Sequence, residues 1–93
     1  MAAGDLMVFA VYDSKTELYS ENPIFSPTEA SAVRAFAAAI SDENHEFSKF
    51  SEDFSLALVG EWYRSKGELA CCPPKIIATA WTIKAALKNN GSV

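Results

Sequence analysis

Residues 54–72 read FSLALVGEWYRSKGELACC, and this stretch decides the fold. Phe54 to Tyr63 is long enough, and rich enough in apolar and aromatic residues, to form a strand. Alternation puts Leu56, Leu58, Gly60 and Trp62 on one face and Ala57, Val59, Glu61 and Tyr63 on the other. Arg64-Ser65-Lys66-Gly67 is a short polar turn whose Gly67 can supply a positive φ. Glu68 to Cys72 then returns as an antiparallel strand. Pro73-Pro74 cannot donate to a ladder and are expected to end it.

Upstream, Leu6-Met7-Val8-Phe9-Ala10-Val11-Tyr12 is a short apolar run that fits a strand covered on both faces. A polar stretch through Asn22 and then Pro23-Ile24-Phe25 lead into Ser26-Pro27-Thr28-Glu29. That tetrapeptide reads as a capping box, with Ser26 at the N-cap, Pro27 at the first helical position and Glu29 at the third. Phe25 is placed to staple onto Ala30. The helix runs from Pro27 to about Ile40, and Val33, Phe36, Ala37 and Ile40 form its core stripe. Arg34 lies along the flank with its head in water. Ser41 to Asp53 is polar and acidic, and one helical turn there would pin Phe47 and Phe50 to the core.

Downstream of the hairpin, Pro74 to Asn89 admits two periods. Ile76, Ala80, Ile83 and Leu87 fit a helical stripe, while Ile77-Thr79-Trp81-Ile83 fits a strand. Its length and the Asn89-Asn90-Gly91 stop favour the helix. The expected fold is therefore α+β: a small three-stranded antiparallel sheet with two helices, in the order β-α-β-β-α. A chain of 93 residues makes one domain, residues 1–93, with 1–5 and 90–93 expected as flexible ends.

Hydrophobic residues make up 49% and charged residues 22%, the balance of a folded globular chain. The Leu6–Tyr12 run is far short of the ~20 apolar residues that span a bilayer, and no basic segment precedes it. No membrane partner is expected. The net charge of −4 argues against a general nucleic-acid coat. It is unevenly spread: residues 1–74 hold all 12 acids and five basic groups, while Lys75, Lys84 and Lys88 follow with no acid. Those lysines suit the carbonyl end of a C-terminal helix or a local anionic contact.

Chemistry-bearing motifs are absent. Cys71 and Cys72 are adjacent, a spacing that rarely allows a disulfide, and both are expected reduced with at least one buried. With His45 they make no metal-ligand pattern. No GxGxxG or Walker loop occurs, and no Ser-His-Asp or Cys-His set can be assembled around a lone histidine in an acidic loop. No catalytic residue, metal or cofactor is expected, and the residues point to a non-enzymatic interaction protein.

Several segments in order resemble the small non-structural protein of gokushovirus-type microviruses, the single-stranded DNA phages. They are Val11-Tyr12-Asp13, Tyr19, Pro23-Ile24-Phe25, Ala32-Val33-Arg34-Ala35-Phe36, Ser51-Glu52-Asp53-Phe54-Ser55-Leu56 and Gly60-Glu61-Trp62, followed by Pro74 and Lys75-Ile76-Ile77. The likeness covers roughly residues 6–78. Ile24 and Ser51 stand where that family usually has Phe and Pro, and the tail from Thr79 is longer than its own. The resemblance implies a non-structural phage protein of the host cytoplasm. It would act by protein–protein interaction in viral DNA replication, at the switch to single-stranded genome synthesis and packaging. The implied partner is the replication initiator or a host replication protein.

Three surfaces are candidates for such work. The acidic loop residues Asp42, Glu43 and Glu46 would dock a basic protein, with electrostatics speeding the encounter. Tyr63, Arg64 and Lys66 at the hairpin tip offer the alternative, a stacking platform beside two cations for single-stranded DNA. Ile77, Trp81 and Leu87 in the apolar tail offer a further alternative, self-association as a homo-oligomeric assembly or scaffold factor, with a two-fold dimer the favoured form.

Overall fold

The computed structural model describes residues 5–91. β1 (Leu6–Asp13) runs through an antiparallel sheet, with β4 (Phe54–Tyr63) along one edge. Two short strands, β2 (Leu18–Tyr19) and β3 (Ile24–Ser26), share its other edge. β5 (Glu68–Thr79) pairs with β4, so the order is β2-β1-β4-β5 with β3 also on β1. Helices α1 (Glu29–Ser41), α2 (Glu46–Lys49) and α3 (Ala80–Gly91) complete the chain. Of the ends expected to be flexible, residues 1–4 and 92–93 lie outside the described residues. Asp5 is buried, and residues 90–91 belong to α3.

The class is the expected mixture of helix and antiparallel sheet, but the sheet has five strands rather than three and there are three helices rather than two. β2 and β3 are two and three residues long and exist through their pairing with β1. Tertiary pairing of that kind leaves no periodic trace in so short a segment. β4 has the expected bounds, and the turn after it closes with Gly67 at φ +66°, its N–H donating to the Tyr63 carbonyl at 2.8 Å.

β5 does not stop at Pro73-Pro74. Gly60 pairs with Cys71 and Leu58 with Lys75, so Cys72, Pro73 and Pro74 together oppose Val59. Prolines are tolerated there because they fall in a bulge on an outer strand, where no ladder bond is asked of them. The tail is therefore strand as far as Thr79 and helix only from Ala80. Cys71 and Cys72 are both free and exposed on that outer strand, so neither is the buried small hydrophobe expected.

α1 is capped two residues later than the capping-box reading. The Ser31 N–H donates to Thr28 Oγ1 at 3.0 Å, whereas Ser26 ends β3, is buried, and donates its hydroxyl to the Thr28 carbonyl. Pairing Ser26 with Met7 holds it in the sheet and pushes the cap to the next hydroxyl along. Phe25 is 47% exposed and forms no staple.

The core lies between one face of the sheet and the helices. Phe9, Val11, Phe54 and Leu56 from the strands meet Ala32, Phe36, Ile40 and Ala80 from α1 and α3. Each large side chain fully buried there contributes about 1.5–3 kcal/mol. Val33 packs at the margin, as the stripe predicts, and Arg34 is exposed. Register then corrects the hairpin's faces. Val8 pairs with Gly60 but Phe9 with Leu58, so Val59 is an extra residue in β4. One extra residue reverses the alternation beyond it. Trp62, opposite Leu6, therefore leaves the face of Leu56 and Leu58 and joins the face away from the helices.

Candidate functional site

Phe47, the one aromatic of α2 itself, packs on the core with its ring 5.6 Å from Phe36 and 4.8 Å from Phe54. His45 caps this turn, its Nδ1 accepting from the Phe47 N–H at 3.1 Å. The histidine is thus a structural cap packed against Phe47, the rings tilted by 53° with centroids 4.5 Å apart. Phe50, the second expected anchor, is 51% exposed. Lys84 of α3 reaches across to the end of the same turn and donates to the Ser48 carbonyl at 2.6 Å. A lysine does meet a helix carbonyl end, but that of α2.

Anchoring α2 in this way opens a cleft of about 340 Å³ between it and the β1–β2 hairpin. Its floor is apolar, with Val11, Phe47 and Phe54, and Tyr19 stands beside it with its ring 4.8 Å from Tyr12. Three carboxylates, Asp13, Glu21 and Glu46, also line it. On its far side Lys15, Asp53 and the exposed Phe50 continue the surface. Leu18, 66% exposed, is apolar surface of the same kind at the hairpin end. An apolar floor lined by carboxylates suits a protein segment carrying both basic and apolar side chains.

Of the three acids expected in this role, only Glu46 lines the cleft. Asp42 caps the end of α1, and its Oδ1 accepts from the Asn44 N–H at 3.0 Å. Glu43 is exposed on another surface, beside Lys84 and Leu87. Asp13 and Glu21 could not be found from the sequence, because the hairpin that brings them to α2 rests on the two-residue β2. The pair of tyrosines, Tyr12 and Tyr19, was the available signal, since cross-strand aromatics favour such pairing.

The hairpin tip does bring Tyr63 and Lys66 together, with Lys66 Nζ 5.8 Å from the ring centroid. Its electrostatics are those of a negative site, however. Glu61 and Glu68 lie on the same side of the sheet as Tyr63. The charge of Glu61 above all, then desolvation, a hydrogen bond with Glu61, and the charges of Asp5 and Glu68 push the Tyr63 phenol above its ordinary range. Asp5 is buried, and its Oδ1 has no hydrogen-bond partner among the described residues. Three carboxylates around the Tyr63 ring oppose a phosphodiester backbone.

The tail residues do not form one surface. Ile77 lies at a bulge of β5 and packs against the core, while Trp81 is 61% exposed and Leu87 borders Ile40 and Ser48. Among the described residues, no cluster of three or more His, Cys, Asp or Glu is placed to hold a metal. No described helix is long and apolar enough to cross a membrane.

A family model described as Phage ORF5 protein matches residues 6–83, most of the chain and all five strands. No curated protein and no solved structure matches it.

Proposed function

The chain belongs to the Phage ORF5 protein family and is a phage protein, and we propose that it is a non-enzymatic accessory factor that docks a basic replication protein. The carboxylate-lined apolar cleft between α2 and the β1–β2 hairpin carries this reading, because its chemistry complements a cationic, partly apolar segment. The resemblance to the gokushovirus-type microvirus protein supplies the process: viral DNA replication, at the turn from double-stranded intermediates to single-stranded genomes and packaging in the host cytoplasm. The partner is then the replication initiator or a host replication protein bound to it. Direct binding of single-stranded DNA ranks below this. Arg64 and Lys66 are two cations at a tip where three carboxylates face Tyr63.

A phage carrying Glu21→Lys together with Glu46→Lys tests the process. Both positions are exposed, so the fold should survive. Infected cells are expected to accumulate double-stranded replicative DNA and to yield fewer single-stranded genomes. An unaltered ratio of the two DNA forms would remove the cleft from the reading.

A further inference from the structure

Among the described residues, the helices cover one side of the sheet and the other side is nearly bare. On β1 the covered positions are Met7, Phe9 and Val11; Leu6, Val8, Ala10 and Tyr12 point the opposite way. Pairing carries that second face outward to Tyr19, Phe25, Trp62, Leu69 and Ile76. Val8, Ala10 and Ala57 form a buried floor, at 4%, 5% and 0% exposure. The large side chains around them stand out: Tyr19 at 42%, Phe25 at 47%, Leu69 at 57% and Ile76 at 48%. Every position that pairing assigns to this face is uncharged, in a chain with 20 charged residues, eight basic and 12 acidic.

A sheet with two apolar faces is stable when both are covered. The shortest dimension here, 19 Å, is that of one helix layer on one sheet. We propose that a second copy of this chain covers the open face, the two sheets packing face to face about a two-fold axis.

Two observations choose this occupant. The face offers no charge for a basic or an acidic partner to pair with, yet it brings apolar surface to an identical face without setting any of the chain's net −4 across the contact. The area also suffices. With side chains of about 150–250 Å² each standing roughly half exposed, the four residues that stand out present about 300–500 Å² per copy, so a pair buries about 600–1,000 Å², the size of a weak, concentration-dependent dimer. The sheets would lie ~10 Å apart with strands within about 30° of alignment. The proposal goes beyond the docking cleft, which opens on the helix side and shares only Tyr19 with this face, and stands or falls without it.

Sedimentation equilibrium of the full chain at micromolar to millimolar concentration tests it. A species of twice 10.1 kDa is expected. Phe25→Lys and Ile76→Lys, both at exposed sites, should each return the mass to 10.1 kDa with an unaltered far-ultraviolet spectrum. Trp81→Lys, on α3, should leave the doubled mass in place. A native chain of 10.1 kDa throughout the range overturns the proposal, and so does dissociation by Trp81→Lys with Phe25→Lys still paired. Should either face variant lose its native spectrum, burial of a single cysteine label at Leu69, in a chain carrying Cys71→Ser and Cys72→Ser, decides the same question on association: a label that stays fully exposed counts against the proposal.

Discussion

Tyr63 is held among Glu61, Asp5 and Glu68, and its phenol reports on that setting. A group whose folded pKa lies above its unfolded value binds its proton more tightly in the folded chain. The stabilisation is complete below the ordinary tyrosine range and is lost as pH rises through the folded pKa. Stability should therefore fall on the alkaline side as Tyr63 ionises. Glu61→Gln removes the largest cause, so one of the three tyrosine midpoints should move down in an ultraviolet titration. Unmoved midpoints would show that Glu61 does not set the field at the tip. At the start of α1 the acting hydroxyl is that of Thr28. Thr28→Ala should cost about 0.5–2 kcal/mol in thermal or denaturant unfolding. A loss below the error of the measurement would mean that the helix starts elsewhere. The sequence showed that a cap lies in Ser26-Pro27-Thr28-Glu29, but the choice between the two hydroxyls depended on β3, which holds Ser26 in the sheet.

At the scale of elements, the bounds of β4 and its turn were legible to the residue, because a ten-residue run rich in apolar and aromatic side chains, closed by a glycine turn, needs no distant help. The bulges were not. An extra Val59 opposite β1, and Cys72-Pro73-Pro74 opposite that same valine, are set by register between strands. They moved Trp62 across the sheet and carried β5 past two prolines. Gly60 lies at this irregularity, where a Cβ would run into the Ala70 carbonyl oxygen of β5. Gly60→Ala must push the two backbones apart, at about 1–3 kcal/mol by analogy with overpacked cores. The expected readout is a lower midpoint in thermal unfolding, with the loss of amide protection concentrated in β4 and β5. Unchanged protection there would place the close approach elsewhere.

At the scale of the molecule, one layer of helices on one sheet leaves three distinct surfaces. The cleft is lined by carboxylates, the hairpin tip is negative around its tyrosine, and the open face is uncharged. The sequence disclosed the acidic excess but not its focus. Of the acids it singled out, Glu46 reached the cleft, while Asp13 and Glu21 came from a hairpin too short to leave a pattern. The two remaining surfaces assign the work differently, one to nucleic acid and one to self-association, so the identity of the bound partner discriminates best. The most direct measurement is affinity capture from phage-infected cells, comparing the native chain with Asp13→Lys, Glu21→Lys and Glu46→Lys combined and checking that the variant keeps its native spectrum. The account predicts that the native chain recovers a basic replication protein in the presence of nuclease and that the variant recovers at most a tenth as much. Equal recovery by both chains, or recovery of single-stranded DNA alone with binding that declines steeply as salt is added, would contradict it.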